Sequence, residues 1–349
     1  MLNGNRAPAS SIRGRPFSYL LPDVSAFPGL PRGRLAPSPT GCLHLGNAWS
    51  FLLCWLALRS AHGSVILRME DIDPQRSRPE YASAIMQDLR WLGLDWDEGP
   101  DIGGPCVPYF QKERIAAYEA AIAALEAGGM VYPCFCTRKE LRSLAGAPHI
   151  DDIGAPYPGT CRNLSKNERE RFLLAGHRAS LRLRCPEEPV AFVDQCMGPQ
   201  RFRLEDCGGD FALRRSDGVI AYQLAVAVDD ALMGVTQVIR GRDILFSTPR
   251  QICLLGLLGC VTPTYAHIPL ILDEEGERLA KRHKSLSLRE LRLAGAAPER
   301  IVALLGRLAG IWPSGAPARP GELIPFFSLD KIPSDDVVIS RADIQALLA

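Results

Sequence analysis

Arg34-Leu-Ala-Pro-Ser-Pro-Thr-Gly-Cys-Leu-His-Leu-Gly-Asn47 is the stretch whose reading decides the fold. It sets a cation, prolines at 37 and 39, glycines at 41 and 46 and His44 between an extended lead-in and the apolar run 48–58. A backbone that must approach a nucleotide at the start of a helix needs this chemistry. Gly41 and Gly46 remove side-chain bulk where phosphate or adenine lies, and Pro37 and Pro39 stiffen the approach. His44 brings an imidazole to the phosphates. The run 48–58 reads as a buried helix whose positive N-terminal end faces the ligand.

Working outward, Ser64-Val-Ile-Leu-Arg-Met69 is a short β-rich run that ends in the polar burst Glu70-Asp-Ile-Asp-Pro-Gln-Arg76. Strand, ligand loop, helix and a strand with acids at its carboxyl end make a nucleotide-binding βαβ unit. Apolar spacing predicts helices over 80–92, closed by Gly93, and 118–125, ended by Gly128 and Gly129. Residues 131–210, rich in proline and cysteine with short arginine-bearing strands, read as an inserted small subdomain. The runs 219–228 and 235–239 suit buried strands or packed helices, and 252–261 a buried helix. The fold class is therefore α/β: a Rossmann-type parallel-sheet core in two halves, 31–130 and 211–275, around the insert. A helical C-terminal region, 276–349, completes it. Residues 1–30 read as a loose extension.

At 349 residues, 47% hydrophobic and 23% charged, the composition is that of a globular protein able to bury a sizeable core. The net charge of +1 leaves any nucleic-acid face to a local basic patch. The longest apolar runs are too short to span a bilayer. The first 30 residues lack the apolar core of an export signal. Eleven scattered cysteines then fit a reduced, cytoplasmic setting, with metal ligation the question for any cluster.

Gly276-Glu-Arg-Leu-Ala-Lys-Arg-His-Lys-Ser285 is a glycine-led loop bearing lysines, suited to following charge onto a moving phosphate. Together with the 34–47 stretch it resembles the paired signature loops of class I aminoacyl-tRNA synthetases of the glutamyl type. Asn47 stands where that family's first motif ends in histidine, and Ala280 replaces a serine of the second. The resemblance implies His44 and Lys281 as the catalytic pair around ATP; a shifted register would give the lysine's role to Lys284. It also implies an ATP site from Pro37, Gly41, His44, Gly46, Asn47 and Lys281, with Mg²⁺ accompanying the nucleotide. The amino-acid pocket would comprise Arg34, Ala36, Ser38, Glu70, Tyr222 and Arg240. Arginines suit a carboxylate side chain because their fork pairs both oxygens and disfavours an amide. Glu70 would hold the substrate ammonium.

Cys134-Phe-Cys136 and, further on, Tyr157-Pro-Gly-Thr-Cys161 could ligate one structural Zn²⁺. From the residues alone His149 is a candidate fourth ligand; the resemblance to glutamyl-queuosine tRNA(Asp) synthetases implies Tyr157. The chain ends at Ala349, fewer residues beyond Lys281 than the about 100 a further domain typically needs. That pattern resembles the same group, which lacks an anticodon-binding domain. The resemblance thus implies ATP, L-glutamate and queuosine-bearing tRNA(Asp) as partners, and nothing in the sequence demands more than a monomer. Arg182, Arg184, Arg201 and Arg203 of the insert are a candidate RNA-facing surface or, equally, ordinary solvated strand residues. A truncated synthetase charging tRNA(Glu), or a catalytically silent paralogue that binds tRNA or adenylate, are the other readings.

Overall fold

The computed structural model describes residues 17, 21, 29–137, 139–141, 157–279 and 287–348. Its centre is a parallel sheet built around the 34–47 stretch. Strand β1, Arg32–Leu35, leads into helix α1, Leu45–Ser60, and the chain returns as β2, Ser64–Leu67, in parallel register with Arg34 opposite Ile66. Helix α1 is apolar on nearly every side, which suits an element covered all round. Trp49 and the run Leu52–Leu58 are buried against the sheet on one side and the C-terminal helices on the other. Its two indoles end on acceptors: Trp49 Nε1 on the Pro269 carbonyl at 2.8 Å, Trp55 Nε1 on Asp95 Oδ1 at 2.7 Å.

Helix α2, Pro79–Trp91, and helix α3, Ile115–Ala127, follow, each a residue or more longer at its start than its apolar spacing predicts. Gly93 at φ +82° and Gly129 at φ +71° stop them in the left-handed conformation that glycine adopts without strain. Strand β3, Val131–Cys134, pairs antiparallel with β4, Ser180–Leu183, and β4 with β7, Ala212–Arg214. Helix α4, Lys166–Leu174, lies within the same region. The hairpin of β5, Val190–Asp194, and β6, Gly198–Phe202, does not join that small sheet. It pairs through Asp194 and Tyr265 with β9, Thr264–Ile268, which lies parallel to β8, Gln237–Gly241.

The apolar run from 219 becomes helix α5, Tyr222–Leu232, and the run from 252 lies largely in helix α6, Thr248–Leu257. The Thr236 amide donates to the Arg32 carbonyl at 2.9 Å and so lays β1 beside β8. The carboxyl ends of β1, β2 and β8 consequently open on one side, where a doubly wound sheet receives its ligand. Helices α7, Leu288–Leu293, and α8, Pro298–Leu308, close the C-terminal side of the core, with α9, Arg341–Leu348, outside them. Phe17, from the expected N-terminal extension, is buried in the cluster of Tyr118, Leu125, Leu224 and Leu254. No helix among the described residues is long and apolar enough to cross a membrane.

Gly33 in β1 lies against Leu58 of α1 and the Gln237 carbonyl of β8. A methyl at its Cα would sit 2.7 Å from Leu58 Cδ1 and 3.0 Å from the Gln237 carbonyl. Gly33→Ala should therefore cost about 1–3 kcal/mol of stability through overpacking. Thermal unfolding would read this as a loss of several degrees; an unchanged midpoint would contradict the packing described.

Candidate active site

At that open end lies a cavity of about 550 Å³. Its wall contains Arg34, Ala36, Pro37, Ser38, Gly41, His44, Gly46 and Asn47 from the β1–α1 connection, Glu70 after β2, Tyr222 at the start of α5 and Arg240 in β8. Every residue expected in the ATP or amino-acid site thus faces one space, apart from Lys281. Lys281 and its rival Lys284 lie outside the described residues, as does His149. The flanks of that lysine segment are placed. Leu279 is 3% exposed and lines the cavity, while Ser287 bridges His44 and the Leu288 amide donates to the Leu43 carbonyl at 2.8 Å.

The loop geometry explains two sequence features. His44 is the N-cap of α1, and its amide donates to Asn47 Oδ1 at 3.1 Å, so Asn47 serves the helix start. Gly46 is needed because a Cβ there would press to 3.1 Å from the His44 ring.

Beneath the cavity floor charges are paired across three elements. Asp230, in α5, accepts from Arg34 Nε at 3.2 Å and from Arg68 Nη1 at 2.7 Å, and Arg68 Nη2 reaches Glu70 at 3.1 Å. Arg68 is fully buried; Arg34 and Asp230 are nearly so. Burial pushes Asp230 up, but the Arg34 and Arg68 guanidiniums outweigh it and hold the carboxyl below its ordinary value. For Glu70 burial wins over the same two cations, and its carboxyl is raised.

Arg240 is handled differently. Its Nε donates to His267 Nε2 at 3.1 Å and its Nη2 to Thr248 Oγ1 at 2.7 Å, both neutral partners. Nη1 is buried with no hydrogen-bond partner among the described residues. A guanidinium in the wall of a cavity with an unsatisfied nitrogen is set up to receive an acidic ligand.

Comparison with known proteins agrees with this arrangement. Residues 32–317 match the family model described as tRNA synthetases class I (E and Q), catalytic domain. The chain belongs to that family. A glutamyl-Q tRNA(Asp) synthetase from Nitratidesulfovibrio vulgaris is 60% identical to this class I chain over 90% of it and 96% of the relative. A glutamate–tRNA ligase 2 from Alkalilimnicola ehrlichii is 49% identical over 79% of the chain and 58% of the ligase. Among solved structures, a glutamate–tRNA synthetase from Elizabethkingia anophelis superimposes with a TM-score of 0.77 at 27% identity, covering 91% of this chain and 70% of that one.

This class I synthetase chain carries a second constellation near the small antiparallel sheet. The thiol sulfurs of Cys134, Cys136 and Cys161 lie within 4.8 Å of one another, Cys136 and Cys161 at 3.7 Å. Tetrahedral zinc with Zn–S of about 2.3 Å requires sulfurs about 3.8 Å apart, so the spacing fits. The Tyr157 hydroxyl accepts from the Cys161 amide at 2.7 Å and hydrogen-bonds Cys134. Burial opposes a Cys134 thiolate, yet that bond and Arg182 prevail and lower its pKa. Arg182 lies over the Tyr157 ring, 3.9 Å from its centroid, and is 9% exposed. It therefore does not belong to the surface expected of it, because its stem and charge are spent on this buried cluster. Arg201 and Arg203 are exposed and Arg184 half-buried.

Sequence reasoning missed Arg68, Asp230, Asp194, Thr248 and His267. A legible signal existed for Asp230 alone, since adjacent acids at 229 and 230 interrupt an apolar helix run. Asp230→Asn should leave two buried guanidiniums short of an anion and cost about 3–5 kcal/mol at neutral pH. A carboxyl held below its ordinary value stabilises the fold above the ordinary carboxylate range, and that contribution is lost as pH falls through the lowered value. Denaturant unfolding of the two proteins should therefore differ at pH near 7 and converge in strong acid; equal midpoints at neutral pH would refute the pairing.

Proposed function

We propose that the chain activates L-glutamate with ATP as glutamyl-adenylate and transfers glutamate to the queuosine base at the wobble position of tRNA(Asp). The observation that carries the acceptor is the contrast between relatives: 60% identity along 96% of a glutamyl-Q tRNA(Asp) synthetase, against 49% along 58% of a glutamate–tRNA ligase. What supports glutamate is the cavity itself. Arg240 offers its unpartnered Nη1, Arg34 stands on the same wall, and Glu70 supplies an anion for the substrate ammonium.

In this reading the glutamate α-carboxylate attacks the ATP α-phosphorus in line, pyrophosphate leaves, and no protein nucleophile is required. Arg34, Arg240, Glu70, Tyr222, Ala36 and Ser38 hold the amino acid. Pro37, Gly41, Gly46 and Asn47 shape the close approach to the nucleotide, and His44 and Lys281 stabilise charge that develops on the phosphates. Mg²⁺ bound with ATP would offset phosphate charge. A hydroxyl of the queuosine ring then attacks the mixed anhydride, AMP leaves, and the hydroxyl proton is lost to solvent or phosphate. One Zn²⁺ held by Cys134, Cys136, Cys161 and Tyr157 would staple a region with a small core of its own.

Glutamate, and not glutamine, should support ATP–pyrophosphate exchange, and label from glutamate should enter tRNA(Asp) only when queuosine is present. Labelling of tRNA(Glu), or of queuosine-free tRNA(Asp), would replace this acceptor with the ordinary one. Arg240→Lys should raise the glutamate KM about 10- to 100-fold, the equivalent of losing about 1.5–3 kcal/mol of charged hydrogen bonding. Cys161→Ser should lower bound zinc, read by metal analysis, together with the melting temperature. Undiminished zinc in that variant would remove Cys161 from the ligand set.

A further inference from the structure

We propose that His267, anchored by Asp194, is the positioning residue that orients Arg240 toward a carboxylate ligand, and that it does so only while neutral. The inference rests on the glutamate reading of the cavity. Asp194 in β5, His267 in β9 and Thr248 in α6 are each at most 1% exposed. None of them lines the cavity.

With Arg240 Nε–H as the donor, the hydrogen bonds select one protonation state. Arg240 Nε–H can donate to His267 Nε2, at 3.1 Å, only if that nitrogen carries a lone pair. The ring proton therefore sits on Nδ1, where Asp194 Oδ2 accepts it at 2.6 Å. Asp194 is itself immobilised: Oδ1 accepts from the backbone amides of Cys196 at 3.0 Å, Met197 at 2.9 Å and His267 at 3.0 Å. On the far side Thr248 Oγ1 takes Arg240 Nη2 at 2.7 Å and lies 3.0 Å from His267 Nε2. Two of three guanidinium nitrogens are thus pinned by neutral acceptors, while Nη1 is buried without a partner among the described residues and the residue lines the cavity. A carboxylate in place of His267 would instead have neutralised Arg240 and competed with the substrate.

The charged groups that act on His267 are Asp194 from β5, Arg240 from β8 and Arg34 from β1, while Tyr265 stacks beside it with ring centroids 6.2 Å apart. Protonation would place an N–H on Nε2 facing the Arg240 N–H and remove the acceptor. Burial first, then Arg240 and Arg34, lower the His267 pKa against the pull of Asp194, so the ring stays neutral at neutral pH. Acidification below the ordinary histidine range would turn Arg240 out of place and weaken glutamate binding, leaving the nucleotide site intact.

The test is glutamate-dependent ATP–pyrophosphate exchange by the full chain across acid to neutral pH, with His267→Gln, together with ring-nitrogen NMR of the unsubstituted protein. In His267→Gln the glutamate KM should rise about tenfold, the size of one neutral hydrogen bond, with kcat and the ATP KM within about twofold. Glutamate KM should climb less steeply toward acid pH in this variant than in the unsubstituted protein, the limb that remains being that of Glu70. A glutamate KM within about twofold, or an acid limb as steep as that of the unsubstituted protein, would overturn the proposal. Should His267→Gln fail to fold, Asp194→Asn serves: its amide can donate to Nδ1, and should move the proton to Nε2 and raise the glutamate KM likewise. NMR should find His267 as the neutral Nδ1–H tautomer near neutral pH; an Nε2–H or doubly protonated ring overturns the relay. Absence of glutamate-stimulated exchange in the unsubstituted protein would instead defeat the substrate reading, which the tautomer measurement does not depend on.

Discussion

The burial of Asp230 between Arg34 and Arg68 is the interaction on which the site depends. An unpaired carboxylate or guanidinium in that position would cost several kcal/mol, so the three must be assembled together or not at all. Arg34 comes from β1, Arg68 from the end of β2 and Asp230 from α5. Their pairing fixes where the two halves of the core meet. It also fixes Glu70, which Arg68 holds beside the cavity.

Arg240 is governed by the opposite rule. Among the described residues it has no carboxylate within ion-pair distance, and its partners are a hydroxyl and a neutral imidazole. The positive charge is oriented without being cancelled. One arginine of the cavity wall is therefore tied to the framework through Asp230, and the other has no anionic partner among the described residues. Both side chains of the cavity wall are thus held in place by partners from other elements, the condition for preorganised recognition.

Much of this was legible in the sequence because local chemistry and global role coincide along 34–47. Prolines, glycines and His44 set the loop, the apolar run after it sets α1, and the acids after the next strand set Glu70. The resemblance to the glutamyl-type synthetases carried Arg240 and Tyr222 to their positions and the cysteine spacing raised the metal question; the structure gathers the first two at the cavity and the cysteines in their own cluster. Arg182 is instructive in the other direction. An arginine in an alternating strand reads as a solvated face, yet Arg182 lies over the Tyr157 ring because the small sheet folds that face against the cysteine cluster. The β5–β6 hairpin likewise shares its composition with the region before it but joins the core sheet through β9, a partner some 70 residues away that no local pattern announces.

By itself, then, the sequence determined the α/β class, the turn-rich loop before α1, the helix ends at glycine and the kinds of residue that line the cavity. These follow from backbone sterics and apolar periodicity, which act over a few residues. Only the tertiary structure decided which charges cancel and which stay available. Whether Asp230 meets Arg34, or a neutral His267 meets Arg240, depends on strands and helices brought together from far along the chain, and ion-pair energies are set by burial and distance that no short stretch encodes.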